Sequence, residues 1–155
     1  MAPEIPKLEI PAGALAGRDA DALIRALELG PHPEGGHYRE NFRDPDPPGG
    51  RGAATAIYYL FRAGERSHWH RVDAVEVWRF LAGDALALGV SIDGKSRTIH
   101  ALGNGPDERG QITVPKDAWQ SAEPLGAFAL VACIVAPAFR FAGFELAPPG
   151  WEPGA

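Results

Sequence analysis

The chain is cut into short pieces, and that constrains its fold more than any other feature. Breaks fall at DPDPPGGRG (44–52), at Asp93-Gly94 and at Gly103-Asn104-Gly105-Pro106. Between them lie runs of β-branched, aromatic and small apolar residues, the composition of strands. HYRENF (37–42), AATAIYYLF (53–61), ALALGVSI (85–92), KSRTIHAL (95–102), QITV (111–114), WQSA (119–122), AFALVACIVA (127–136) and FRFAGFEL (139–146) each read as one. Asp93-Gly94 is a two-residue hairpin signal between two of these runs. With 19 Gly and 15 Pro in 155 residues, turns are favoured over long helices. A single helix is signalled. Asp19 caps it, Leu23, Ile24 and Leu27 form its apolar face, and Gly30-Pro31 ends it. About nine or ten short strands without βαβ alternation predict an all-β antiparallel sandwich or barrel with one short N-terminal helix. One domain is expected over 18–152, behind a loose Pro/Ala/Gly-rich arm over 1–17.

Charge narrows the partners. The net charge is −5 and the basic residues do not cluster, which argues against a nucleic-acid surface. No apolar run approaches the ~20 residues of a membrane span, so no membrane contact and a cytoplasmic location are expected. The lone Cys133 sits in FALVACIVA and reads as a small core residue.

The chemistry concentrates in SHWHRVDAVEVWRFLAG (67–83). On a regular strand Arg66, His68 and His70 share a side while Trp69 faces packing. Glu76 lies in VEVWRFL, whose apolar neighbours predict burial, and a buried carboxylate needs a partner. Gly83-Asp84 closes the segment as a turn and lets Glu76 fold back beside the histidines. His68, His70 and Glu76 therefore read as three ligands for a divalent ion, with Zn, Fe, Mn, Ni and Co all compatible with such N/O donors. A second crowded stretch is PHPEGGHYRE (31–40), where Gly35-Gly36 permit unusual backbone angles and Glu34, Tyr38 and Arg39 could reach a ligand. Tyr58 and Tyr59 point opposite ways, so one faces inward. Trp78 shares parity with Glu76 and is the expected aromatic wall, with Arg66 on the polar stripe as a further ligand contact.

Placed in this β-only layout, Gly64, His68, His70, Glu76 and Gly83 resemble the first motif of the cupin superfamily: glycine, HxH, glutamate, glycine. The gap from His70 to Glu76 is a little longer than usual. Gly110 and Pro115 match the second motif, while Asp117 replaces a glycine and Gln120 stands where the fourth metal ligand would be histidine. More narrowly, PHPEGGHYRE, GERSHWHRVDAVEVWRFLAGD (64–84) and FRFAGFELAPPGW (139–151) resemble an RmlC-like cupin family of a domain of unknown function, the cupin-5 type. The resemblance implies a double-stranded β-helix, a jelly-roll barrel that is commonly a homodimer, with Gln120 as fourth metal ligand or as a hydrogen-bonding group. GHYRENF also resembles, loosely, a strand of the dTDP-sugar 3,5-epimerases.

Three functions follow as expectations. The first is a metal-dependent isomerase, lyase or oxygenase acting on a small polar or sugar-like molecule, with Tyr59 or Glu34 moving the proton. The second is a metal-free, epimerase-like enzyme in which His70, tuned by Glu76, is the base and a tyrosine the acid. The third is a module that only binds a small ligand.

Overall fold

The computed structural model describes residues 15–154. Most of the expected arm, residues 1–14, lies outside the described residues; Leu15 packs against the helix. That helix, α1 (Ala20–Ala26), starts where the sequence places it, with the Asp19 side chain accepting from Ala22 N at 2.8 Å. Its first turn carries Asp21 and its last carries Arg25, both favourable to the helix dipole.

Among the described residues eleven strands follow: β1 (Gly30–Pro31), β2 (His37–Arg43), β3 (Thr55–Arg62), β4 (Ser67–Val72), β5 (Val75–Gly83), β6 (Leu86–Ser91), β7 (Thr98–Leu102), β8 (Gln111–Val114), β9 (Trp119–Pro124), β10 (Phe128–Ala136) and β11 (Phe144–Leu146). They form a six-stranded sheet in the order β1-β2-β3-β10-β5-β8 and a five-stranded sheet in the order β11-β4-β9-β6-β7. Pairings between these strands are antiparallel. The all-β jelly-roll barrel with one short helix is therefore what the chain adopts. Two strand expectations need correcting. The two-residue turn at Asp93-Gly94 is instead a six-residue loop, 92–97, because β7 begins at Thr98 and not at Lys95. FRFAGFEL is not a continuous strand but a coil, a 3-10 turn at Phe141–Gly143 and the short β11. Gly143 accepts a backbone bond from Asp73 N, and an added Cβ there would fall 2.2 Å from Asp73 Oδ1, so the chain bends where aromatic composition suggests extension.

Two apolar clusters follow from strand alternation. Inward-facing Tyr59, Phe61, Trp78, Leu86, Leu88 and Val131 fill the space between the sheets. Leu60 and Leu130, on the other side of β3 and β10, are covered by Leu23 of α1 and by Leu27 at its C-cap. Both helix leucines are fully buried, and each contributes about 2 kcal/mol by leaving water. Asp117, the residue that departs from glycine in the second motif, has φ 65°. The turn before β9 still demands a left-handed residue, and aspartate is one of the few side chains that tolerates it.

Candidate functional site

A cavity of about 80 Å³ opens between the sheets, room for a molecule of a few heavy atoms. Its polar lining includes His32, Glu34, Tyr59, His70 and Glu76, and its apolar wall includes Tyr38, Trp78, Phe139, Phe141 and Phe144. Phe141 is 62% exposed and marks the mouth; Glu76, 7% exposed, marks the floor.

Glu34 comes from the turn between β1 and β2. This turn seats tightly because Gly35 lies against β4: its φ is 115°, and a Cβ would fall 2.0 Å from the Arg66 carbonyl oxygen. Only glycine brings the two segments that close. Ser67 Oγ donates to Glu34 Oε1 at 2.6 Å, and the Tyr59 hydroxyl, donating to the Gly35 carbonyl at 2.5 Å, lies 3.0 Å from the same Oε1. Glu34 Oε2 is sealed from solvent without a hydrogen-bond partner, 3.4 Å from His70 Nδ1.

His70 is 4% exposed, and its Nδ1 sits 2.8 Å from the His68 carbonyl oxygen. A carbonyl only accepts, so Nδ1 carries the proton and the neutral ring has its lone pair on Nε2. The side chain thus holds a fixed tautomer, with a carboxylate behind the protonated nitrogen. Glu76 is fixed separately: Gln120 Nε2 donates to its Oε2 at 2.6 Å, and Trp78 Nε1 donates to Gln120 Oε1 at 2.8 Å. Burial pushes the Glu76 carboxyl up to about 7, the Glu34 carboxylate adds to the rise, and His70 and the Gln120 bond oppose it. Burial also raises the Tyr59 phenol above its ordinary range, with Glu34 adding to it, and lowers His32 despite Glu34. Cys133, in the cavity wall, is pushed up by its burial.

The residues singled out in the sequence separate into two groups. Glu34, Tyr38, Tyr59, His70, Glu76 and Trp78 line the cavity, and Gln120 lies directly behind Glu76. His68 does not join them. Its Nε2 donates to the Pro148 carbonyl oxygen at 3.0 Å, outside the barrel. The shared side expected for His68 and His70 fails because the β4–β9 register shifts between Ser67 and His70. This irregularity turns Ser67 inward beside His70 and turns His68 out. Arg66 goes out as well, into a surface groove with Trp69, Arg97 and Glu152. Arg39 turns to Glu28 and the Leu27 carbonyl. Ser67 and His32 are members of the site that strand parity does not reveal. Their signal in the sequence is their place beside His68 and Glu34.

These donors do not fit the expected divalent ion. His68 faces away, the Gln120 oxygen is taken up by an indole N–H, and among the described residues no group of three or more His, Cys, Asp or Glu is arranged to hold a metal. What the arrangement offers is proton transfer: a buried imidazole with a free lone pair, backed by one carboxylate and facing a cavity floored by another.

Comparison with known proteins agrees with the fold. The model of a family described as Cupin_5, Cupin superfamily (DUF985), matches residues 21–147. A solved protein of Shewanella oneidensis is 39% identical, with 84% of this chain and 85% of that chain covered and a TM-score of 0.78. A hypothetical protein from Leishmania major is 31% identical, with 86% and 90% covered and a TM-score of 0.77. A cupin 2 conserved barrel domain protein from Rhodopseudomonas palustris is similar in fold alone, at 16% identity, 76% and 72% coverage and a TM-score of 0.55. No curated protein matches the chain.

Proposed function

The chain belongs to the Cupin_5 (DUF985) family of the cupin superfamily, and from that premise we propose that it is a small-molecule enzyme whose barrel cavity carries out proton transfer with His70 as general base. The substrate is a small polar molecule with a C–H made acidic by a neighbouring carbonyl, and the reaction is an isomerisation, epimerisation or elimination begun by removing that proton. The observation that carries the proposal is the 2.8 Å contact of His70 Nδ1 with the His68 carbonyl, which leaves Nε2 as the basic atom. Glu34, 3.4 Å from Nδ1, stabilises the imidazolium that forms. Ser67 and Tyr59 hold Glu34 in place. Tyr59 is assigned to positioning, since its hydroxyl proton is engaged with the Gly35 carbonyl and its phenol is harder to ionise than usual.

A panel of small hydroxy-carbonyl and keto compounds, incubated with the protein in D2O and followed by proton NMR, tests this. The expected result is loss of a C–H signal beside a carbonyl with the wild-type protein and none with His70→Asn. Exchange that persists in His70→Asn, or binding without exchange across the panel, overturns the base assignment. The homodimer implied by the family resemblance belongs to the same proposal, and light scattering on the purified protein measures it.

A further inference from the structure

We propose that Glu76 is the proton donor that works opposite His70, and that Trp78 and Gln120 are positioning residues that aim its acidic hydrogen into the cavity. This rests on the reading of His70 as base and adds the second half of the proton transfer.

The argument is one of donor and acceptor direction. An indole N–H can only donate. Trp78 Nε1 lies 2.8 Å from Gln120 Oε1, so the amide oxygen must face the indole; flipping the amide would set N–H against N–H. With its oxygen so committed, Gln120 turns Nε2 to Glu76 and donates to Oε2 at 2.6 Å. An oxygen that receives an N–H acts as acceptor, so the hydrogen of a neutral Glu76 sits on Oε1, the oxygen left to the cavity that Glu76 lines. Seclusion from water and the neighbouring Glu34 carboxylate both favour that neutral form. A carboxylic acid so held can donate to a substrate oxygen as negative charge develops there. His70 Nε2 removes the carbon-bound proton, the electron pair moves toward the carbonyl oxygen, and Glu76 Oε1–H donates to that oxygen. From the enediol so formed, the His70 imidazolium protonates the former carbonyl carbon while the other hydroxyl returns a proton to Glu76 Oε1, which completes an aldo–keto isomerisation with no net oxidation or reduction and no co-reactant.

All three members are almost wholly inaccessible: Gln120 is 0% exposed, Trp78 1% and Glu76 7%. Burying an amide and a carboxyl group costs free energy unless both are satisfied, and here each satisfies the next. This gives a reason for glutamine at the position where the second cupin motif carries histidine. A neutral histidine could accept at one ring nitrogen and donate at the other, but on taking up a proton near neutral pH it loses its acceptor, whereas an amide keeps both roles at every pH. Two residues aligned with the metal-binding motifs, Glu76 and Gln120, instead form an acid and its support.

Infrared difference spectroscopy on the whole protein tests the arrangement without a substrate. Below neutral pH the wild type should give a carboxylic-acid C=O band that Glu76→Gln removes. Gln120→Met, which keeps the volume and deletes the N–H donor, should move that band to higher frequency, because an accepted hydrogen bond weakens the C=O. Trp78→Phe should broaden it as the amide loses its orientation. No band assignable to Glu76, or a band unmoved in folded Gln120→Met, overturns the proposal. With any compound that the wild type exchanges, Gln120→Met should lower kcat about tenfold or more and leave KM nearly unchanged; an unaltered kcat overturns it equally. The two readings fail separately. Exchange surviving in His70→Asn removes the base while the infrared result stands, and an unmoved band removes the acid while the loss in His70→Asn stands.

Discussion

One strand carries two histidines with opposite fates. On the inner side of β4, His70 meets Ser67 and Glu34 where water is excluded, and a carboxylate oxygen is left without a hydrogen bond. On the outer side, His68 donates to Pro148, Ala147 N donates to the Trp69 carbonyl, Trp151 packs against Trp119 at 4.6 Å, and Arg71 lies over Trp119 and pairs with Glu145. The outer groups find their partners within the protein and fasten the C-terminal tail. The inner ones are held as firmly but keep unused capacity: a lone pair on His70, an oxygen on Glu34, an oxygen on Glu76. Native proteins leave few buried polar atoms unpaired, so incomplete satisfaction points to where a ligand is handled. The same residue type, two positions apart, serves fastening on one side and chemistry on the other.

The largest effect should separate the two histidines outright. His70→Asn should reduce proton exchange about 10²- to 10⁴-fold, the range for loss of a positioned general base, in the NMR assay; an equal loss in His68→Ala would erase the distinction. Glu76 gives the next effect, through pH. Its carboxyl ordinarily ionises near 4.5 and in the folded chain near 7, so between these values the folded state binds more protons than the unfolded one. Stability therefore falls as pH rises through that window, by about 3 kcal/mol in all, and stays low above it. Denaturant melts at pH 5 and pH 8 should reveal this fall in the wild type and a smaller one in Glu76→Gln. Ser67→Ala removes a buried donor to Glu34 and should cost about 1–3 kcal/mol in urea unfolding while slowing exchange. His68→Ala should cost about 1 kcal/mol at most, a single half-exposed hydrogen bond, with exchange rates unchanged.

Much of the architecture was legible in the sequence because its boundaries are made of explicit turn chemistry. Asp19 caps the helix and Asp117 takes a left-handed angle, while Asp93-Gly94 marks the right break but lies in a six-residue loop, 92–97, and not in the two-residue turn expected. FRFAGFEL misled because aromatic residues signal strands by composition, whereas its bend at Gly143 is imposed by Asp73 across space. The site divides in the same way. Glu34, Tyr59, His70 and Glu76 could be named from local pattern, since each sits among apolar residues or glycines that force a polar group inward. The pairing of His68 with His70 could not, because parity assumes an unbroken register and the β4–β9 ladder is broken between Ser67 and His70. Gln120 was visible as a departure from a motif. Its role became readable only with the Trp78 indole beside it, a neighbour 42 residues away in the chain.

The cavity also joins the two sheets. His70 and Gln120 belong to the five-stranded sheet, Tyr59, Glu76 and Trp78 to the six-stranded one, and Glu34 to the turn leading into it. A molecule held there acts as a rivet: releasing it and parting the sheets are thermodynamically linked. At a ligand concentration a hundredfold above Kd, that linkage adds about 2.7 kcal/mol to the free energy of unfolding. In a chain of this size such a gain lifts the melting temperature by several degrees. Heat resistance is thus a direct reporter of occupancy, and it can sort candidate substrates before any turnover is known.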